Sequence, residues 1–102
     1  MSEWRELRLE HEQPAMDGLV TFDGDLVEAF GFNDIRSVRM PVSLLEEVTV
    51  SFKSGLIAQP NITFQGRNGG LGFVQPIEVP DERRPEIESF AEAVNAQIRK
   101  RA

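Results

Sequence analysis

The sequence contains no cysteine and no tyrosine, and its single histidine is His11. Without cysteine, the chain has no disulfides, no thiol nucleophiles and no thiolate metal sites. His11 lies between Glu10 and Glu12 with no serine nucleophile in a recognisable arrangement, so solvated charge is the simplest interpretation. The carboxylates, Glu46-Glu47 included, form no recognisable acid–base pair. We therefore expect a protein that is not an enzyme and that holds no cofactor and no metal.

Positive charge is scarce: 11 Lys and Arg stand against 17 Asp and Glu, for a formal net charge of -6. Such a chain lacks the basic face that nucleic-acid binding requires. It is also repelled by an anionic membrane leaflet. These features exclude a general nucleic-acid binder and a protein anchored electrostatically to a membrane.

Long hydrophobic runs are also missing, so we expect no integral membrane association. The first residues lack the apolar stretch of a secretory signal, which predicts a cytoplasmic protein. Without that signal, the acceptor pattern Asn61-Ile-Thr63 indicates only the start of a strand. At 102 residues, with no repeat and no linker-like segment, the chain predicts a single domain over residues 1–102.

The clearest element that is present is a helix over residues 84–100. Its apolar residues recur at helical spacing and define one stripe: Ile87, Phe90, Ala91, Val94 and Ile98. Pro85 suits a first helical turn, and basic residues follow at the C-terminal end, as the helix dipole favours. A helix of this kind needs an apolar surface to lie on.

Residues 17–79 predict strands that provide this surface. The segments 19–22 and 26–30 flank Asp23-Gly24, which favours a two-residue type I′ hairpin turn, with Asp25 in the loop or in the second strand. Residues 47–53 form the cleanest strand, and residues 61–65 form another. The charged segment 1–16 precedes them. Within it Leu7 and Leu9 favour a strand, although Trp4 with Leu7 also suits a helical turn.

Several connections leave alternatives open. Ser43-Leu-Leu-Glu46 matches a helical capping box, but a tight corner between strands is slightly favoured. Pro60 argues against a central strand, and Gln75-Pro76 predicts an interruption of the last strand. Residues 66–70 predict a loose hairpin. Together, these elements predict a mainly β fold. We expect a six- or seven-stranded antiparallel bent sheet or partly open barrel, capped by one C-terminal helix.

This layout resembles that of pleckstrin-homology-like (PH-like) domains, specifically actinobacterial members of unknown function. Gly18-Leu-Val-Thr-Phe-Asp-Gly-Asp-Leu-Val27 resembles their opening hairpin. Arg39-Met-Pro-Val-Ser-Leu-Leu-Glu-Glu-Val48 is similar to the passage between their middle strands, and Phe90-Ala-Glu-Ala-Val94 to the start of their helix. The resemblance covers about residues 17–100. It implies a non-enzymatic module that often lies beside other domains.

Three candidate ligand sites are disfavoured by the residues. Phosphoinositide-binding PH domains hold phosphates with Lys and Arg near the first hairpin, whereas here that turn reads Asp23-Gly24-Asp25. Adding Asp34 to those carboxylates still does not give the ligand spacing of a calcium loop. The glycine-rich segment 66–72 lacks the Lys-Ser/Thr of a phosphate-binding loop.

Three hypotheses of function remain. The first is an interaction module that grips a protein segment, or forms a homo-oligomer, along an exposed sheet edge or beside the helix. Its candidate surface comprises Trp4, Phe32, Met40 and the strand after Gly70, with Phe73. The second is a small-molecule or lipid carrier with an apolar pocket in the bent sheet. The third is an acidic accessory or inhibitor protein that meets a basic partner.

Overall fold

A computed structural model describes residues 4–10, 17–32, 36–52 and 60–101. The described residues form seven strands and one α-helix. These are β1 (Arg5–Leu9), β2 (Gly18–Phe22), β3 (Leu26–Gly31), β4 (Arg36–Pro41), β5 (Leu45–Ser51), β6 (Asn61–Asn68), β7 (Leu71–Glu78) and α1 (Arg84–Arg101). Short 3-10 turns at Val42–Leu44 and Asp81–Arg83 precede β5 and α1.

The strands form two antiparallel sheets. The first is four-stranded in the order β1-β2-β3-β4, and the second is three-stranded in the order β5-β6-β7. The sheets do not close on each other, so β1, β4, β5 and β7 are edge strands. This confirms the predicted mainly β fold with one C-terminal helix.

The core lies between the inner faces of the sheets and the helix. Val20 and Phe22 of β2 and Ile62 and Phe64 of β6 are fully buried, as strand alternation requires. The predicted helical stripe is confirmed, because Ile87, Phe90, Ala91 and Val94 are buried and Ile98 packs against the core. The rings of Phe22 and Phe90 meet edge to face, with centroids 6.3 Å apart. Burial of this stripe fixes the helix on the sheets.

The N-terminal segment supports the strand interpretation over the helical one. β1 pairs with β2 in the register Leu7↔Val20, and Leu7 and Leu9 face the core. Pro14 and Gly18 predict a turn or loop over residues 13–18, but Gly18 belongs to β2. Residues 13–16 lie outside the described residues.

The first hairpin differs from its predicted turn. Asp23 N donates to Leu26 O at 3.3 Å, so the two-residue connection is Gly24-Asp25, shifted by one residue from the prediction. Gly24 has φ of 102° and Asp25 does not have a positive φ. A type I′ turn needs a positive φ at both central residues, whereas a type II′ turn needs it only at the first. The type I′ prediction is therefore wrong.

The connection between the two sheets is the short corner that was favoured. β4 ends at Pro41, and a 3-10 turn over Val42–Leu44 leads directly into β5. The corner contains the single helical turn of the other alternative, as a 3-10 turn. Its N-cap is Pro41 with no side-chain hydrogen bond, so the capping box at Ser43 does not form. Burial of Val42 holds the corner against the core.

The second sheet corrects two expectations. β7 continues through Pro76 to Glu78 without the predicted interruption. The β6–β7 hairpin is also tighter than predicted, because Asn68 pairs with Leu71 across Gly69 and Gly70. Ser54-Gly55 predicts a turn after residues 47–53, and Asn33 and Asp34 predict another after Phe30. Both predicted turns fall on residues outside the described ranges.

Candidate functional site

The four predicted surface residues lie in different environments. Trp4 is 60% exposed, and its indole N–H donates to Glu6 at 3.0 Å. Phe32 and Met40 are only 5% and 3% exposed, so they belong to the core and do not form a surface. Phe73 is half-buried and packs against the core. Met40 and Phe73 line one groove, which Trp4 and Phe32 do not reach.

The most exposed apolar side chains lie on β7. Leu71 is 78% exposed and Val74 is 65% exposed. Sequence reasoning pointed to the strand after Gly70 but did not single out either residue. A usable signal was present, since residues 69–77 contain no charged side chain. An uncharged, partly apolar strand at the edge of a sheet is a site for pairing with another chain.

The C-terminal segment covers the outer edges of β5 and β1. Asn95 of α1 accepts a hydrogen bond from Val48 N at 2.9 Å and donates one to Val48 O at 2.8 Å. Arg83, just before α1, donates to Arg8 O of β1 at 2.9 Å. Each side chain occupies main-chain groups that a further strand would need. These two edges are therefore protected by the chain itself.

Arg83 is held in place by Glu86, one turn along the chain. Its Nε donates to Glu86 at 2.9 Å, and a second guanidinium nitrogen binds the other carboxylate oxygen. This bidentate pair raises the pKa of Arg83 and lowers the pKa of Glu86. The pair with Glu86 holds the Arg83 side chain in the position from which it donates to Arg8 O of β1.

The edge of β4 is protected by charge and by proline. Val42 N donates to Asp25 O at 2.8 Å, which continues the ladder between β3 and β4. Since bonded and non-bonded pairs alternate, Arg39 and Pro41 point their main-chain groups outward. The Arg39 side chain pairs with Glu28 across the strand at 3.0 Å. A charged side chain and a missing N–H on an edge discourage further pairing.

The edge of β7 has less protection. Val79 N donates to Pro60 O at 3.0 Å, so Val79 and Pro60 form a hydrogen-bonded pair. From there, hydrogen-bonded and non-hydrogen-bonded pairs alternate along β6 and β7. Gly72, Val74 and Pro76 therefore direct their main-chain groups away from β6. This also explains why Pro76 is tolerated within the strand, since its missing N–H faces outward. Gln75 donates to Pro76 O at 3.0 Å, but no described residue hydrogen-bonds the outer groups of Gly72 or Val74.

A groove of about 230 Å³ lies between the edges of β4 and β7. Val38, Met40, Phe73 and Val74 provide its apolar lining, and Arg39, Asn68 and Gln75 provide polar groups. It therefore offers apolar contact beside unpaired main chain.

Two other surface grooves lie away from the edge of β7. One, of about 440 Å³, runs between β1 and the start of α1, with buried Leu7 and Phe90 beside Arg5, Glu6 and Glu86. The other, of about 370 Å³, lies beside Leu19 and Phe30 on the first sheet. The described residues contain no cluster of three or more metal-binding side chains. None of their helices is long and apolar enough to span a bilayer.

No protein-family model matches the chain, and no curated protein matches it. The mainly β fold with its C-terminal helix and the exposed edge of β7 are therefore the features from which a function can be proposed.

Proposed function

We propose that this chain is a non-enzymatic, cytoplasmic interaction module of the PH-like type, which binds an extended protein strand along the outer edge of β7. The observation that carries the proposal is a pair of outward main-chain positions, Gly72 and Val74, to which no residue in the described part of the chain hydrogen-bonds. Strand addition to an open sheet edge is a recurring mode of protein recognition.

The groove beside β7 supports this proposal. A strand added to β7 gains main-chain hydrogen bonds from Gly72 and Val74. Its alternate side chains lie on the two faces of the enlarged sheet, close to Phe73 on one face and to Val74 on the other. Main-chain bonds supply affinity in this mode, and the side-chain contacts supply specificity.

The assignment to the PH-like type is supported by the order of elements. Four strands, a tight corner, three strands and one C-terminal helix follow the layout of that family. The charge at the first hairpin argues against phosphoinositide as its ligand, since Asp23 and Asp25 flank Gly24 and the pKa of Asp23 is lowered. A protein strand is therefore the partner that we favour.

A carrier for an apolar ligand has less support. Phe22, Phe64 and Phe90 are buried in the core, where they fill space that a ligand would need. The three grooves described above lie at the surface. An acidic accessory protein has only its net charge of -6 in its favour.

The proposal is tested by selecting random peptides, displayed on phage, on the immobilised chain at low density. We expect the enriched peptides to bind the wild type and Val74→Thr alike, because threonine keeps the N–H and the β-branched shape. Val74→Pro removes the outward N–H, and no hydrogen bond between β7 and β6 is lost, because that N–H faces away from β6. It should weaken binding roughly tenfold. Peptides that bind all three proteins equally would contradict the proposal.

A further inference from the structure

We infer that the strand that pairs with β7 is β7 of a second copy of this chain. The inference rests on the proposed function, because it names the partner for the same edge. It assigns a symmetric, isologous interface centred on Phe73, with Gly72 and Val74 of each copy in the shared ladder.

Charge is the first argument for a second copy. Each chain carries a formal net charge of -6, so two copies repel each other over most of their surfaces. The segment from Gly69 to Ile77 is free of charge, so β7 meets another β7 without like-charge contact. A segment with no charge of either sign is complementary to itself, and it offers no ionic group to select a different partner.

The second argument is that the other sheet edges are protected against pairing with another strand. Asn95 and Arg83 occupy main-chain groups of β5 and β1, and β4 carries the Arg39–Glu28 pair. Among the edges that the structure describes, β7 lacks such protection at Gly72 and Val74. Sequences that leave an apolar edge open risk aggregation, so the selective protection here indicates an edge that is used.

The geometry of β7 specifies the register. If Phe73 lies opposite Phe73 of the second copy, Gly72 faces Val74 and Val74 faces Gly72. The outward N–H and carbonyl of Gly72 then bond to the carbonyl and N–H of Val74 in the second copy, and those of Val74 bond to Gly72 of the second copy. Each such pair is a hydrogen-bonded antiparallel pair. Pro76 falls opposite Gly70, beyond the ladder, so its missing N–H costs nothing. A register that puts Pro76 opposite Gly72 would leave the Gly72 carbonyl without a donor.

The two-fold symmetry closes the assembly. Each copy uses the same edge, so pairing covers β7 in both and leaves no identical edge to continue a fibre. The shared region is short, and it buries less than the roughly 1,200–2,000 Å² of a standard stable interface. We therefore expect a weak dimer that depends on concentration. Salt should strengthen it, because screening reduces the repulsion between the acidic copies.

The test uses two charge variants of the full chain, Val74→Glu and Val74→Lys. In the proposed register the two copies of residue 74 are diagonal neighbours about 7–8 Å apart on one face. Each variant alone places like charges there, and sedimentation velocity should show a dimer dissociation constant raised roughly tenfold. An equimolar mixture pairs Glu with Lys and should recover dimerisation. Trp4→Lys, a change at an exposed apolar residue away from β7, is the control and should dimerise like the wild type.

The outcomes distinguish the symmetric dimer inferred here from the proposed function, which is binding of a protein strand along β7. Dimerisation of the mixture but not of the single variants supports the symmetric interface. A wild type that stays monomeric at every concentration overturns the inference, while peptide binding that Val74→Pro abolishes would still support the proposed function. A dimer that survives in Val74→Glu, Val74→Lys and Val74→Pro also overturns the inference, and the proposed function is overturned only if peptides bind the wild type and Val74→Pro equally. Thermal melts confirm that every variant is folded.

Discussion

At the scale of single residues, Gly66 is the position most constrained by its surroundings. A Cβ atom there would lie 2.0 Å from the carbonyl oxygen of Leu44. Because that oxygen belongs to the backbone, it cannot rotate away. The contact lies next to the register shift between Leu45 and Glu47, where β5 leaves the corner between the sheets. Gly66 therefore allows β6 to pass close to this corner.

We predict that Gly66→Ala lowers the free energy of unfolding by about 3 kcal/mol, at the upper end of typical overpacking costs. The matched control is Gly70→Ala, because a Cβ at Gly70 meets nothing within 4 Å and Gly70 does not have a positive φ. Its effect should stay within about 0.5 kcal/mol. Denaturant melts measure both, and equal stability of the two variants would contradict the packing described here.

Asp23 organises the first hairpin through its carboxylate. One oxygen accepts hydrogen bonds from Asp25 N and Leu26 N, both at 2.8 Å. These bonds to the ionised form lower the pKa of Asp23 from the ordinary value of 3.8. A lowered pKa adds stability above the unfolded value, and that stability is lost as pH falls through the folded value.

We predict that Asp23→Ala costs about 1 kcal/mol at pH 7, a modest value because the group is partly solvated. The difference from the wild type should shrink as the pH falls below 4. Asp23→Asn is the control, since it keeps an acceptor oxygen that does not titrate. Urea melts at several pH values measure the effect. A penalty for Asp23→Ala that is independent of pH would rule out this role of the carboxylate.

At the scale of elements, α1 both covers the core and blocks a sheet edge. Its buried stripe packs on the sheets, while Asn95 binds the N–H and the carbonyl of Val48 on β5. One amide side chain thus takes the place of a neighbouring strand at that position. The helix thereby stabilises the fold and protects the edge of β5.

We predict that Asn95→Ala lowers the free energy of unfolding by about 1–3 kcal/mol, because two main-chain groups of Val48 lose their partners. It should also increase self-association through the exposed β5 edge. Gln97→Ala is the matched control, since Gln97 is a half-buried amide on the same helix outside this pair of hydrogen bonds. Melts and sedimentation measure the two effects. If Asn95→Ala matched the control in both, Asn95 would not protect the edge.

The elements that the sequence predicts well are those that rest on periodicity. The helix stripe from Ile87 to Val94 and the alternation of β5 follow from burial of one face, which local sequence records directly. The turn at Gly24 was shifted by one residue, because the Asp23 side chain replaces a main-chain bond in the hairpin. Pro76 was interpreted as an interruption, because whether its nitrogen faces outward depends on pairing with β6.

The candidate site was less predictable, because it depends on contacts between distant residues. The Asn95–Val48 pair joins positions separated by 47 in the sequence. No local pattern marks Asn95 as an edge-protecting residue. Phe32 and Met40 could not be distinguished from surface residues by composition, and tertiary packing buries both. The uncharged segment around β7 was visible, but its position at an unprotected edge was not.

At the scale of the whole molecule, charge and edge protection act together. A net charge of -6 makes two copies of the chain repel each other. Arg83 and Asn95 hydrogen-bond to main-chain groups at the edges of β1 and β5. The edge of β4 is charged and ends in proline. We therefore expect association at β7, where the uncharged segment from Gly69 to Ile77 lies beside an apolar groove.

Amide hydrogen exchange, followed by NMR at each residue over a range of protein concentrations, tests this claim most directly. The outward N–H groups of Gly72 and Val74 should exchange more slowly as concentration rises, because pairing removes them from water. The outward N–H of Arg39 on β4 is the internal reference and should exchange at an unchanged rate. Fast exchange of Gly72 and Val74 at every concentration, or slowing at Arg39 instead, would contradict the account.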